Sequence, residues 1–299
     1  MRGDGVLLLG GGFIGGALAR HLAMAGRTVH VLARRGFSLP DVFVHQGSVG
    51  DRVLLERLLA GCGTVVHLAS DTTPGVSAHR PTRETGNIVA TLRLLEAIQA
   101  FPAVHLIYFS SGGTLYGDPV MLPVPEDAPL SPLSYHGAGK AAQEMFLQAF
   151  RAQGHAVTVL RPANTYGPGQ PLRSGFGLVR NVFEHVRTGT ELEVWGDGEA
   201  VRDFIYVDDV VGACTRFIDC PGDNGTYNIG SGEGCSVNQL INLVGQVCGK
   251  MPQVRFQPPR EGDVSQVVLD ITRLRKAGWE PLVGLEEGLR RTWNWLLQG

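Results

Sequence analysis

The stretch SYHGAGK, residues 134–140, places Tyr135, His136 and Lys140 within six positions of one another. Lysine is scarce in this chain. Lys140, Lys250 and Lys276 are the only three, and the rest of the basic charge is arginine, so a lysine inside a motif is informative. Two neighbours could act as an acid/base beside Lys140. Along a regular helix a step of four residues separates two side chains by about 40°, and a step of five by about 140°. His136 then shares the face of Lys140 and Tyr135 does not. An imidazole, with an ordinary pKa of about 6.5, suits proton transfer near neutral pH. Tyr135 keeps the role if the helix begins later or bulges, which Gly137 and Gly139 allow. An altered or inactive site is the remaining alternative.

A second group of residues points to phosphate chemistry. In LLLGGGFIGGALARHL, Gly10, Gly12 and Gly15 form G-x-G-x-x-G, with Phe13 and Ile14 inside it, directly after an apolar run and at the start of a helical one. Glycine at these points permits a tight turn, close approach of backbone to a pyrophosphate, and close packing of helix on strand. The helix N-terminus then faces the phosphates of a dinucleotide. The next apolar run, TVHVL, ends in Ala33-Arg34-Arg35, and the first acid after it is Asp41. An acid at that place would bond the ribose hydroxyls of NAD, whereas Arg34 and Arg35 favour the extra phosphate of NADP, with NAD the alternative.

Positioning such groups needs a scaffold, and the first 165 residues supply one. Apolar runs at 6–9, 28–32, 42–46, 64–69, 104–110 and 156–162 read as strands buried on both faces. Helical periodicity at 16–25, 51–60, 85–100 and 140–153 alternates with them. This alternation predicts an α/β fold, a doubly wound parallel sheet of Rossmann type. After Pro168 the pattern changes to a glycine- and proline-rich loop (167–177), a helix near 178–188, a short strand at 191–195, and a strand running into a helix over 203–218. The chain is therefore expected to hold a dinucleotide-binding domain at 1–167, with 203–220 returning to it. A smaller mixed α/β substrate-binding lobe is expected from 168–202 and 221–299.

Bulk properties narrow the function. The 299 residues carry a formal net charge of −2, which gives no reason to expect nucleic acid or an anionic membrane as a partner. No run of 18 apolar residues exists to span a bilayer. The five cysteines show neither metal-type spacing nor a disulfide framework, so a reducing cytoplasm is expected, with no metal site.

Taken in order, VVHLAS (65–70), NIVATLRLLEA (87–97), FSSGGTLYG (109–117), RPANTYGPGQ (161–170), RDFIYVDDV (202–210) and YNIGSGEGCSV (227–237) resemble the extended short-chain dehydrogenase/reductase superfamily, in particular its nucleotide-sugar epimerases and dehydratases. The glycine loop departs from the family's G-x-x-G-x-x-G, because Leu9 stands at its first glycine. The resemblance implies a hydroxyl residue after the fifth strand and a tyrosine four residues before a lysine. Such a tyrosine takes a sugar hydroxyl proton, its pKa lowered by the nearby cations. The family's Y-G-x-x-K aligns with His136-Gly137-Ala138-Gly139-Lys140, so His136 stands at the tyrosine position, with Tyr135 the alternative. The hydroxyl position falls on Gly112, flanked by Ser111 and Thr114, which could donate a hydrogen bond instead.

The resemblance further implies cofactor contacts at Leu68, Ala69, Ser70, Asn87, Ser110, Lys140 and Pro162. Substrate contacts are implied at Asn164, Arg202, Arg260 and Asp263. The implied activity is that of a nucleotide-diphospho-sugar 4-epimerase working through a 4-keto sugar, a UDP-sugar being the expected substrate. An NADPH-dependent 4-ketosugar reductase, or a catalytically impaired binding protein, are the alternatives. A homodimer is expected through the helices near 87–100 and 140–153, on Ile88, Leu92, Leu95 and on Ala142, Met145, Phe146, Ala149.

Overall fold

The computed structural model describes residues 3–173, 176–260 and 262–298. Ser174 and Gly175, in the expected loop at 167–177, lie outside them. The chain begins β1 (Gly5–Leu9), α1 (Phe13–Met24), β2 (Val29–Ala33), β3 (Phe43–Gln46), α2 (Arg52–Leu59) and β4 (Cys62–His67). It continues through α3 (Pro74–Ser77), α4 (Glu84–Ile98), β5 (His105–Phe109), α5 (Gly112–Leu115), α6 (Tyr135–Ala152) and β6 (Val157–Pro162). Then follow β7 (Asn164–Tyr166), α7 (Leu178–Thr188), β8 (Leu192–Trp195), β9 (Val201–Tyr206), α8 (Val207–Asp219) and β10 (Gly225–Ile229). The remainder is β11 (Gly234–Ser236), α9 (Val237–Cys248), β12 (Val254–Gln257), β13 (Gln266–Val267), α10 (Thr272–Lys276) and α11 (Leu285–Gln298).

The main sheet runs β10-β6-β5-β4-β1-β2-β3. Every pairing from β6 across to β3 is parallel, which is the doubly wound Rossmann order expected from the alternation. β1, β4, β5 and β6 are buried at every residue, as strands covered on both faces must be.

Contacts divide the chain into two compact units. The first is 1–110, 135–160 and 211–227; the second is 111–134, 161–210 and 228–299. The contacts change hands after Ser110. The reason is that β5 ends there and the chain leaves the sheet until α6, packing over 111–134 with the later segments. Of 203–220, the part from 211 onward joins the first unit.

In the first unit the core is built by Leu7, Leu9, Leu94, Ile98, Leu106 and Leu147. Asp51 caps α2 by accepting from Leu54 N at 3.1 Å. In the second unit α7 turns Val179, Val182, Phe183 and Val186 inward against Leu240 and Val244 of α9. Its polar side joins Glu184 to Arg180 and Arg187. Two small sheets complete this unit: β11-β9-β13 with β7 on β9, and β12 with β8. The buried carboxylate of Asp203 on β9 fastens the segments before β11 and after β13 by accepting from Ser231 N, Gly232 N and Leu269 N.

Candidate active site

α6 begins at Tyr135, five residues before the expected start, so the helical spacing is regular through the whole motif. Tyr135 is 50% exposed, whereas His136 and Lys140 are buried on one face at 8% and 7%. Lys140 Nζ donates to the Phe109 carbonyl at 2.7 Å and sits 4.7 Å from the Tyr108 ring centroid. Burial pushes its pKa down to about 8, against the pull of Glu144 and Glu84. Burial, then the Lys140 charge, pushes His136 down to about 4. Its imidazole is therefore neutral near pH 7.

His136 Nδ1 lies 3.1 Å from Thr72 Oγ1 and 3.7 Å from Glu84 Oε1. Asn87 organises these partners. Its Oδ1 accepts from Asp71 N at 2.9 Å, which fixes the amide, and its Nδ2 donates to Thr72 Oγ1 at 2.8 Å and Glu84 Oε2 at 3.0 Å. Deeper in the unit, Thr91 links the Gln143 amide oxygen, at 2.7 Å, to His67, at 3.1 Å. Burial and Lys140 push His67 down to about 3.

The glycine loop has the form the sequence predicted at its strand–helix junction. Gly10 holds φ +112°, and a Cβ there would meet Ala69 N at 3.0 Å, so the backbone after Leu68 leaves room only for hydrogen. A Cβ on Gly15 would strike the Gly10 carbonyl. A Cβ on Gly12 would meet nothing within 4 Å, and Gly12 leaves the first amides of α1 without a side-chain cap. This uncapped helix start, flanked by Phe13 and Ile14, fits a pyrophosphate. In the same unit Ser110 Oγ is buried without a hydrogen-bond partner among the described residues, as befits a hydroxyl held for a ligand. Ser70 Oγ donates to the Thr72 carbonyl at 3.1 Å. Arg34 and Arg35 are exposed, and Arg34 pairs with Asp71 at 3.0 Å.

In the second unit Ser111 precedes α5 and gives it no side-chain cap. A Cβ at Gly112 would come within 2.5 Å of Leu269 Cδ1 and 3.0 Å of the Arg161 carbonyl, so no hydroxyl residue fits this backbone unchanged. Thr114 Oγ1 is buried without a partner among the described residues. Pro162 ends β6, and Asn164 opens β7, donating to the Asp203 carbonyl at 3.1 Å. Arg202 spends its guanidinium on the carbonyls of Val201, Ser265 and Val264. Arg260 stacks on the Trp195 ring at 3.9 Å, and Asp263 N closes a turn on the Arg260 carbonyl at 3.4 Å. Other motif residues are structural. Arg161 donates to Tyr116 Oη, which donates in turn to Asn228 Oδ1, both at 2.7 Å.

The family model described as the NAD dependent epimerase/dehydratase family matches residues 6–230. A UDP-glucose 4-epimerase of Mycolicibacterium smegmatis is 36% identical over 231 residues, 76% of this chain and 74% of that one. The chain belongs to the NAD-dependent epimerase/dehydratase family. The UDP-glucose 4-epimerase of Thermotoga maritima, solved with UDP-glucose, superposes with a TM-score of 0.91 at 35% identity, over 98% of this chain and 99% of that one. The Thermus thermophilus UDP-glucose 4-epimerase, solved with NAD, gives 0.91 at 32% identity, over 98% and 99%.

For a member of this family, the residues that sequence reasoning missed are Thr72 and Glu84. Glu84 lies three residues before Asn87, in a stretch whose charge looks like an ordinary helix start. The one available sign was the glycine at 139: a Cβ there would come within 2.7 Å of Glu84 Oε2.

Proposed function

We propose that this chain is a nucleotide-diphospho-sugar 4-epimerase acting on a UDP-sugar through a 4-keto form, with His136 as its acid/base. The observation that carries the reading is the neutral, buried imidazole four residues before buried Lys140, in a family chain. His136 accepts the proton of the sugar's C4 hydroxyl and later returns it. Burial, then the Lys140 charge, keeps the imidazole from holding a proton at rest. Ser111 and Thr114 supply hydroxyl donors in place of the residue missing at 112. The nicotinamide, when bound, supplies a reversible hydride acceptor for the sugar carbon.

We assign cofactor binding to the first unit, through Gly10, Gly12, Phe13, Ile14, Gly15, Leu68, Ala69, Ser70, Asn87, Ser110 and Lys140. Arg34 and Arg35 alone favour NADP, and Arg34 is engaged by Asp71; NAD, the ligand of the Thermus relative, is the cofactor to test first. Substrate binding falls to the second unit, where Asn164, Arg260 and Asp263 meet the nucleotide sugar and Arg202 orders the segment carrying Asp263. UDP-glucose, the ligand of the Thermotoga relative, is the first substrate to try.

The exposed apolar residues of α6, Met145, Phe146 and Ala149, support a homodimer, together with the half-buried Ile88 and Leu92 of α4. Leu95 is not part of that face, because it is buried in the first unit's core. The five cysteines are free, which suits a reducing cytoplasm.

Incubation with NAD and UDP-galactose tests the activity. Conversion to UDP-glucose without net change in the cofactor is expected. Stoichiometric NADPH oxidation by a 4-ketosugar instead would establish the reductase, and tight binding without turnover on any UDP-sugar would establish a binding protein.

A further inference from the structure

Glu84 enters α4 at its first turn and is buried, yet Oε1 has no hydrogen-bond partner among the described residues. His136 Nδ1 lies 3.7 Å from it. The other oxygen, Oε2, accepts from Asn87 Nδ2, so the carboxylate cannot rotate freely. Gly139, one turn along from His136, leaves the space this carboxylate fills, since a Cβ there would sit 2.7 Å from Oε2 and 3.1 Å from Glu84 Cβ. A buried acid has thus been aimed at one specific nitrogen, and the facing helix has been thinned to admit it.

We propose that Glu84 is a positioning residue that holds His136 in the tautomer protonated at Nδ1, leaving Nε2 as the atom that exchanges a proton with substrate. This rests on the reading of His136 as the acid/base. The physical basis is the lone pair. An unprotonated Nδ1 would direct its lone pair toward the carboxylate oxygen, whereas Nδ1–H points a positive hydrogen toward Oε1 and Thr72 Oγ1. Thr72 can accept from both Asn87 Nδ2 and His136 Nδ1, because a hydroxyl oxygen has two lone pairs. Nε2 makes no hydrogen bond among the described residues. When Nε2 takes the substrate hydroxyl's proton, the positive ring forms beside Glu84, which offsets the opposing charge of Lys140 on the same helix. A carboxylate behind a histidine serves the same end in other proton-transfer sites.

Two measurements on the full chain decide it. ¹⁵N NMR of histidine-labelled protein reads the tautomer directly, the His136 signals being identified by their loss in His136→Ala. Nδ1–H is expected near pH 7; the Nε2–H form overturns the proposal without any variant at 84. Glu84→Gln is nearly isosteric and presents an amide that can donate to Nδ1. It is expected to shift the tautomer toward Nε2–H and to lower kcat about 10²-fold or more with KM little changed. Combined with His136→Ala it should add no further loss. An inactive His136→Ala beside a fully active Glu84→Gln overturns the role of Glu84 alone. A fully active His136→Ala overturns the reading of His136 as well.

Discussion

At the scale of single residues, the proposed acid/base is a histidine whose surroundings push its pKa further below the ordinary imidazole value. Burial and the Lys140 ammonium both disfavour a proton on His136, and Glu84 opposes them only in part. The sign of the resulting pH dependence follows directly. A lowered pKa means that the base form is already complete at neutral pH and is lost only on acidification through about 4, not through the ordinary 6.5. The expected kcat/KM profile is flat from about pH 7 down to about pH 5 and falls below that. A limb near 6.5 would show an exposed or unpaired imidazole. Gly112 teaches the complementary point. Its departure from the family's hydroxyl is built into the packing, because Leu269 and the Arg161 carbonyl occupy the space a side chain would need.

At the scale of elements, the glycine loop was legible because its demands are on the backbone: Gly10 and Gly15 have no room for a Cβ, and Gly12 is proposed to leave that room to a phosphate. Gly12 makes it testable. It stands in an extended conformation at φ −74° with open space around it, so Gly12→Ala should leave the fold intact, within about 1 kcal/mol in a denaturant melt. Calorimetry should nevertheless find NAD bound at least about tenfold more weakly, about 1.4 kcal/mol, because the methyl would fill the phosphate cradle. The start of α6 was harder to read. Periodicity over 140–153 is strong, whereas 135–139 carry two glycines that weaken it, and only tertiary packing extends the helix to Tyr135. Thr72 and Glu84 were not legible from local pattern, Gly139 being the one sign of the latter. Their meaning comes from a side chain 64 and 52 positions away, a distance that no local pattern spans.

At the scale of the whole molecule, the doubly wound parallel sheet followed from strand–helix alternation, whereas the packing of 111–134 left no such pattern. Residues 111–134 leave the first unit because they belong to no strand of the main sheet, and such loop packing has no periodicity to betray it. No helix among the described residues is long and apolar enough to cross a membrane. Met145 is 70% exposed on α6 and Phe146 is exposed beside it, the apolar pair on which the proposed homodimer rests. Light scattering should give a dimer mass at micromolar concentration, and Met145→Asp with Phe146→Asp should give a monomer of unchanged secondary structure. A monomer mass for the native chain at every concentration would remove the dimer.

The central claim is that proton transfer belongs to the buried His136 and not to its exposed neighbour, and one paired assay reaches it most directly. Interconversion of UDP-galactose and UDP-glucose is followed for the native chain, His136→Ala and Tyr135→Phe under identical conditions with NAD. The expected result is a fall of about 10²-fold or more in kcat for His136→Ala and a change of less than about twofold for Tyr135→Phe. Loss of activity in Tyr135→Phe with His136→Ala still active would contradict the account.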